Sequence, residues 1–217
     1  MKRRLFMRLN VREIETLCRV RDDMPEATSF RTLIVAMCDS ELVRRLCFIT
    51  RTEVELRKIS VNLRQIIRRL REAGCDCGRF ESTASFLDSM IEIISEESSC
   101  IRMDDAVSSA ARHEISIRMT AGEKKLVEGV KKVLRFRCYR ALVMSLCRFA
   151  GERYMPEDIS TEYEMLKEAG VVMNDVARSL NRGEHVDADA FLSFFRCFVQ
   201  VLINLSTKVS GDIVNAV

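Results

Sequence analysis

Phe191-Leu-Ser-Phe-Phe-Arg-Cys-Phe-Val-Gln-Val-Leu-Ile-Asn-Leu205 is the most apolar run in the chain, and its reading decides the fold. A helix drawn through it carries apolar residues on every side. Such a helix is buried in a core or sits in a membrane. Ser193, Arg196, Gln200 and Asn204 interrupt the run, and crossing a bilayer takes about 20 predominantly apolar residues. The run therefore reads as the central core helix of a bundle rather than a transmembrane segment, with Asp187 as its N-cap.

Working outward, apolar residues recur at helical spacing from Val11 to Val214, with only two prolines, Pro25 and Pro156, and eight glycines. No convincing strand alternation and no internal repeat are read. The expectation is a single all-α domain over residues 1–217: a multi-helix bundle or two-layer helical sandwich of seven to nine helices. Residues 1–9 read as a disordered basic N-terminal tail.

Cap chemistry marks the helices. Asn10 caps a helix to about Asp22, Pro25 ends that region, and Ser29 caps a helix from Phe30 to Cys38. Asp39 and Ser40 offer the next cap. Thr52-Glu-Val-Glu55 matches a capping box, opening a helix from about Glu53 to Ala73 with Gly74 as its stop. A helix from about Ser82 to Ser95 follows, then a loop over 96–103. Asp104 caps a helix through Ile115. A second capping box, Thr120-Ala-Gly-Glu123, opens one long helix to Ala150, stopped by Gly151. Ser160 starts a helix closed near Gly183.

Nine cysteines, an odd count without regular spacing, argue against a disulfide framework and for a reducing, cytoplasmic or otherwise intracellular compartment. Cys75-x-Cys77 looks like half a zinc site, but neither His113 nor His185 has paired spacing with a second ligand. Those two histidines lack an adjacent nucleophile, so no enzyme chemistry is read, and no metal or cofactor is expected.

Net charge is only +3. Cations nonetheless cluster on two segments: Arg57, Lys58, Arg64, Arg68, Arg69 and Arg71, then Lys124, Lys125, Lys131, Lys132, Arg135, Arg137, Arg140 and Arg148, against one acid, Glu128. Lys124, Lys131 and Arg135 share one helix face in this reading. Such a stripe suits phosphates of lipid or nucleic acid, although the acidic stretch 152–189 offsets it.

Three blocks resemble the glycolipid-transfer-protein family: Phe30 through Leu63, with Glu53, Glu55 and Lys58; Val133-Leu-Arg-Phe-Arg-Cys-Tyr-Arg-Ala-Leu-Val143; and Leu180-Asn-Arg-Gly-Glu-His-Val186 with the helix after it. They cover under half the chain and are mainly hydrophobic patterning. The resemblance implies an all-α two-layer sandwich holding one lipid, its head group on a Trp platform and hydrogen-bonded by Asp, Asn, Lys and His. This chain has no Trp. Glu55 and Lys58 are the nearest candidates for the acid and the base.

The leading functional expectation is a non-catalytic helical module that docks a protein partner on a groove or charged face. A lipid carrier and a nucleic-acid binder using the basic helix face are the alternatives. The residues singled out for contact are Glu55, Lys58, Lys124, Lys131, Lys132 and Arg135.

Overall fold

Residues 3–9, expected as a tail, form a strand in the computed structural model, which describes residues 3–100, 113–152 and 155–209. The order is β1 (Arg3–Leu9), α1 (Val11–Asp22), α2 (Phe30–Cys38), α3 (Glu41–Glu72), α4 (Gly78–Cys100), β2 (His113–Met119), α5 (Ala121–Val133), α6 (Tyr139–Glu152), α7 (Ser160–Arg182) and α8 (Ala188–Val209). The predominantly helical class expected of the sequence holds. The chain divides into two compact units: Met1–Cys47 with Ser98–Pro156, and Phe48–Glu97 with Glu157–Val217.

The first unit is a strand–helix–helix element present twice. β1 pairs antiparallel with β2, Phe6 opposite Ser116 at the centre of the register. Leu5, Met7 and Leu9 point into the core together with Ile117 and Met119, because a strand places alternate side chains on opposite faces. Each strand runs straight into a capped helix. Asn10 and Glu13 form a capping box on α1, and Thr120 and Glu123 form the equivalent box on α5. The helices then cross over: α1 packs on α6, and α2 on α5. Buried Leu17, Val20, Leu33, Ile34, Met37 and Cys38 correspond in order to Val127, Val130, Leu142, Val143, Leu146 and Cys147.

The second unit holds two helical hairpins. One is α3 from Phe48 onward with α4; the other is α7 with α8. Gly74 and Gly183, both at positive φ, close α3 and α7. The left-handed conformation there lets the glycine N–H and the N–H after it reach back to the last free carbonyls. Aspartates start the returning helices: Asp76 Oδ1 accepts from the Gly78 N–H, and Asp187 Oδ1 from Asp189 and Ala190. The repeat continues here too. Buried Leu56 corresponds to Leu166, Leu63 to Met173, Ile67 to Ala177, Phe80 to Phe191, Leu87 to Phe198, and Ile94 to Leu205. Phe80 packs edge-on against Phe195, ring centres 4.7 Å apart.

Several sequence expectations give way. The internal repeat runs through both units, and residues 113–119 are strand, so the helix read through Ile115 is not formed there; its start at Asp104 lies outside the described residues. Thr52 and Glu53 sit buried inside the unbroken α3. The Leu46–Ile49–Leu56 stripe carries the helix across them, and Glu53 accepts from Arg57 Nε at 3.1 Å. α4 extends to Cys100, past the loop read from residue 96. The long helix from Thr120 breaks after Val133, and the second part, α6, ends at Glu152, one residue past Gly151. α8 is amphipathic rather than buried all round: Phe191, Phe195, Phe198, Leu202 and Leu205 form its buried stripe, while Cys197 and Ile203 are exposed. Among the described residues, α8 is the one helix long and apolar enough by composition to cross a membrane. Eight of the cysteines are described, all as free thiols.

Candidate nucleic-acid interface

Alternation along β1 and β2 leaves one face of the ribbon to solvent. That face carries Arg4, Phe6 and Arg8 from β1 and Glu114, Ser116 and Arg118 from β2. The antiparallel register sets Arg4 opposite Arg118, Phe6 opposite Ser116, and Arg8 opposite Glu114. Arg8 and Glu114 pair, Nε to Oε2 3.7 Å. Arg4 and Arg118 have no carboxylate partner among the described residues. Like charges directly opposite each other destabilise a strand pair, so folding alone gives no reason for two arginines there. Phe6 is 53 % exposed at the centre of this face, which leaves its ring available for an apolar contact.

A hollow of about 400 Å³ opens beside the ribbon at the start of α6, lined by Phe6, Arg8, Lys131, Arg137, Tyr139 and Arg140 among others. Lys131 Nζ lies 3.5 Å from the Phe136 carbonyl and 3.4 Å from that of Arg137, and 5.5 Å from the Tyr139 ring centre. These contacts hold the ammonium near the first turn of α6, where helix N–H groups favour anions. Burial and the neighbouring Glu128 carboxylate raise the Tyr139 phenol above its usual range, so Tyr139 presents a neutral hydroxyl, which donates to Glu128 Oε1 at 3.2 Å.

The other half of the repeat builds the same corner with different charge. Arg21 stands where Lys131 does, 5.5 Å from the Phe30 ring centre. Its guanidinium is bound to Asp22, Nη2 to Oδ1 2.7 Å. Asp23 and Glu26 follow in that link, whereas Lys132, Arg135 and Arg137 follow in the second.

The residues singled out from sequence scatter. Lys131 lines the hollow. Lys132 is exposed at the end of α5. Lys124 is half-buried and 3.7 Å from Glu128. Arg135 does not share a helix face with Lys124 and Lys131, because it lies beyond α5 at φ 59°. Glu55 and Lys58 belong to the second unit, where Lys58 Nζ sits 2.8 Å from Glu55 Oε1. They line a shallow groove of about 730 Å³ between α3 and α7, with exposed Val61 and Val171. Cys75 is exposed while Cys77 is buried and directs Sγ at the Ile67 carbonyl. His113 opens β2 and His185 lies in the α7–α8 turn.

The ribbon residues escaped the sequence reading entirely. Their signal was present twice: Leu5, Met7, Leu9 and Ile115, Ile117, Met119 each alternate, and each run meets a cap residue followed three positions later by Glu. No protein-family model, curated protein or solved structure matches the chain.

Proposed function

We propose that this protein binds duplex DNA by laying the β1–β2 ribbon in the major groove. The observation that carries the reading is the pair Arg4 and Arg118, set opposite each other on an exposed face with no carboxylate partner among the described residues. A two-stranded ribbon fits the major groove of B-form DNA, about 12 Å wide, and outward arginines there reach guanine edges. Phe6 supplies the apolar contact that thymine methyl groups favour. Lys131 of α5 and Arg137 in the α5–α6 link, both lining the hollow beside the start of α6, are suited to a flanking phosphate. The deep, narrow major groove of A-form RNA does not admit such a ribbon, which favours DNA over duplex RNA.

The deciding experiment measures binding of the full chain to a mixed-sequence duplex of 30 base pairs, by fluorescence anisotropy across a salt series. Binding that weakens steeply with salt, and that falls at least about tenfold in an Arg4→Ala, Arg118→Ala variant, supports the reading. Binding unaffected by that variant, or no binding at low salt, rejects it.

A second reading keeps the leading sequence expectation, a docked protein partner. Exposed Val61 and Val171 beside Lys58 and Glu55 favour it for the groove between α3 and α7. Val61→Asp and Val171→Asp separate the two readings: they leave DNA binding unchanged and abolish capture of any protein that depends on the groove.

A further inference from the structure

We infer that the ribbon reads a directional, non-palindromic DNA site as a single chain. The inference rests on the DNA reading above and adds which sequences the site prefers.

A ribbon made of two identical strands presents identical residues to both halves of its site, and the two-fold axis makes the best site a palindrome. Here one chain supplies both strands, and the repeat places Arg8 in correspondence with Arg118, Phe6 with Ser116, and Arg4 with Glu114. One correspondence is kept, and two are broken. At one end of the ribbon Arg4 and Arg118 stand opposite each other, both uncompensated by any carboxylate among the described residues. At the other end Arg8 is drawn to Glu114, with Nε 3.7 Å from Oε2.

The two ends recognise different chemistry. An arginine donates two hydrogen bonds to O6 and N7 of guanine, whereas a glutamate accepts from N4 of cytosine. The Arg4/Arg118 end is therefore suited to guanines. The Arg8/Glu114 end admits a cytosine amino group and repels the acceptor edge of guanine beside Glu114. At the centre Phe6 faces a thymine methyl while Ser116 accepts any base.

The flanks are broken in the same sense. Lys131 and its neighbours Lys132 and Arg137 leave a cationic corner at α6. The matching corner at α2 has Arg21 tied to Asp22, with Asp23 and Glu26 following. Turning the duplex end for end would exchange the better phosphate corner for the poorer one, so base edges and backbone select one orientation.

The test selects bound sequences from a pool of duplexes with a randomised centre, using the full chain. The expected motif has unequal halves, and duplicating either half in inverted form lowers affinity by about tenfold or more. Glu114→Arg makes the two strands alike at the position of Arg4 and shifts the selected motif toward a palindrome with guanines at both ends. Arg4→Glu symmetrises the ribbon the other way and shifts it toward a palindrome with cytosines at those positions. A palindromic motif from the wild-type protein, duplex binding with no enriched motif, or a motif unchanged in both variants overturns the inference while leaving DNA binding intact. Failure to retain any duplex at low salt overturns the DNA reading itself.

Discussion

Arg31 at the start of α2 clamps the carboxylate of Glu123 in the first turn of α5, with Nη2 2.8 Å from Oε1 and Nε within reach of both oxygens. The repeat returns the same bond on the other side: Arg140 of α6 donates to Glu13 of α1, Nε to Oε1 2.8 Å. Each glutamate does two jobs. It caps its own helix through the N–H of Asn10 or Thr120, and it ties that helix to the opposite half of the repeat. These are the polar counterparts of the crossed α1–α6 and α2–α5 packing, and they lock the two halves around the ribbon.

Glu123→Gln is expected to cost about 1 kcal/mol of stability at neutral pH, since it removes a charged cap acceptor and a partly exposed ion pair. The Arg31 guanidinium, followed by the Thr120 N–H, holds this carboxyl down at about 2, against an ordinary 4.5. A depressed folded-state value gives stability that is complete above the ordinary value and is lost as pH falls from 4.5 toward 2. Urea midpoints measured from pH 6 to pH 2 check this. The wild-type midpoint falls through that window, and the gap between wild type and Glu123→Gln closes with it.

Arg135→Gly is expected to stabilise the protein by up to about 1 kcal/mol, because a side chain at positive φ pays a cost that glycine avoids. Arg135 has φ 59° just past α5, and the Phe136 N–H reaches back to the Lys131 carbonyl at 3.0 Å. Gly74 and Gly183 hold the same conformation after α3 and α7. A rise in melting temperature without change in the denaturant slope is the expected result. A fall shows that the Arg135 side chain contributes more than its backbone strain costs.

That arginine also explains much of what the sequence hid. Helix ends marked by ordinary chemistry were legible: Asn10, Ser29, Thr120, Gly74, Gly183 and Asp187 all cap or close helices as read. The end of α5 carries Arg where glycine is the usual signal, so α5 and α6 merged into one helix on paper. Thr52 failed the opposite way. Its capping-box spacing is real, but Leu46, Ile49 and Leu56 continue one buried stripe past it, and tertiary packing overrides a local cap. The strands were hidden because each is seven residues long and is paired with a strand far along the chain. Pairing across such a separation is invisible to a local window. The repeat was masked because corresponding core positions keep their apolar character rather than their identity, as with Ile67 and Ala177, or Leu87 and Phe198. The six ribbon-face residues depended on all three, so the candidate site was the least legible part of the chain.

Lys131→Gln and Arg118→Ala are expected to weaken DNA binding in distinguishable ways. A lysine on a phosphate contributes charge alone, so its loss lowers affinity for all duplexes alike and reduces the salt slope by about 1. An arginine on a base edge contributes sequence preference. Its loss costs about 1–3 kcal/mol on the preferred site and less on others. Salt titrations on a selected duplex and on an unrelated one check both. Equal behaviour of the two variants on both duplexes contradicts the division between base contacts on the ribbon and phosphate contacts at α6.

Thiol reactivity offers a footprint that needs no knowledge of the preferred sequence. Cys138 is exposed at the start of α6 and lines the hollow beside the ribbon, its Sγ 3.5 Å from the Ala141 N–H. Cys75 and Cys197 are also exposed, but in the second unit. Cys38 and Cys147, corresponding positions of the repeat, are buried, and loss of hydration pushes both thiols up to about 12. At pH 8 a maleimide is therefore expected to modify Cys75, Cys138 and Cys197 in the native protein, and Cys38 and Cys147 only after unfolding, because thiolate character and access together set the rate. Saturating duplex DNA slows Cys138 by roughly tenfold, since reagent access to it is blocked, and leaves Cys75 and Cys197 as internal references for any general effect of DNA on the reagent. Peptide mapping of the labelled protein reads all five sites at once. If Cys138 reacts at the same rate with and without bound duplex, the DNA does not cover the ribbon and its α6 corner, and the contact surface must be sought elsewhere on the protein.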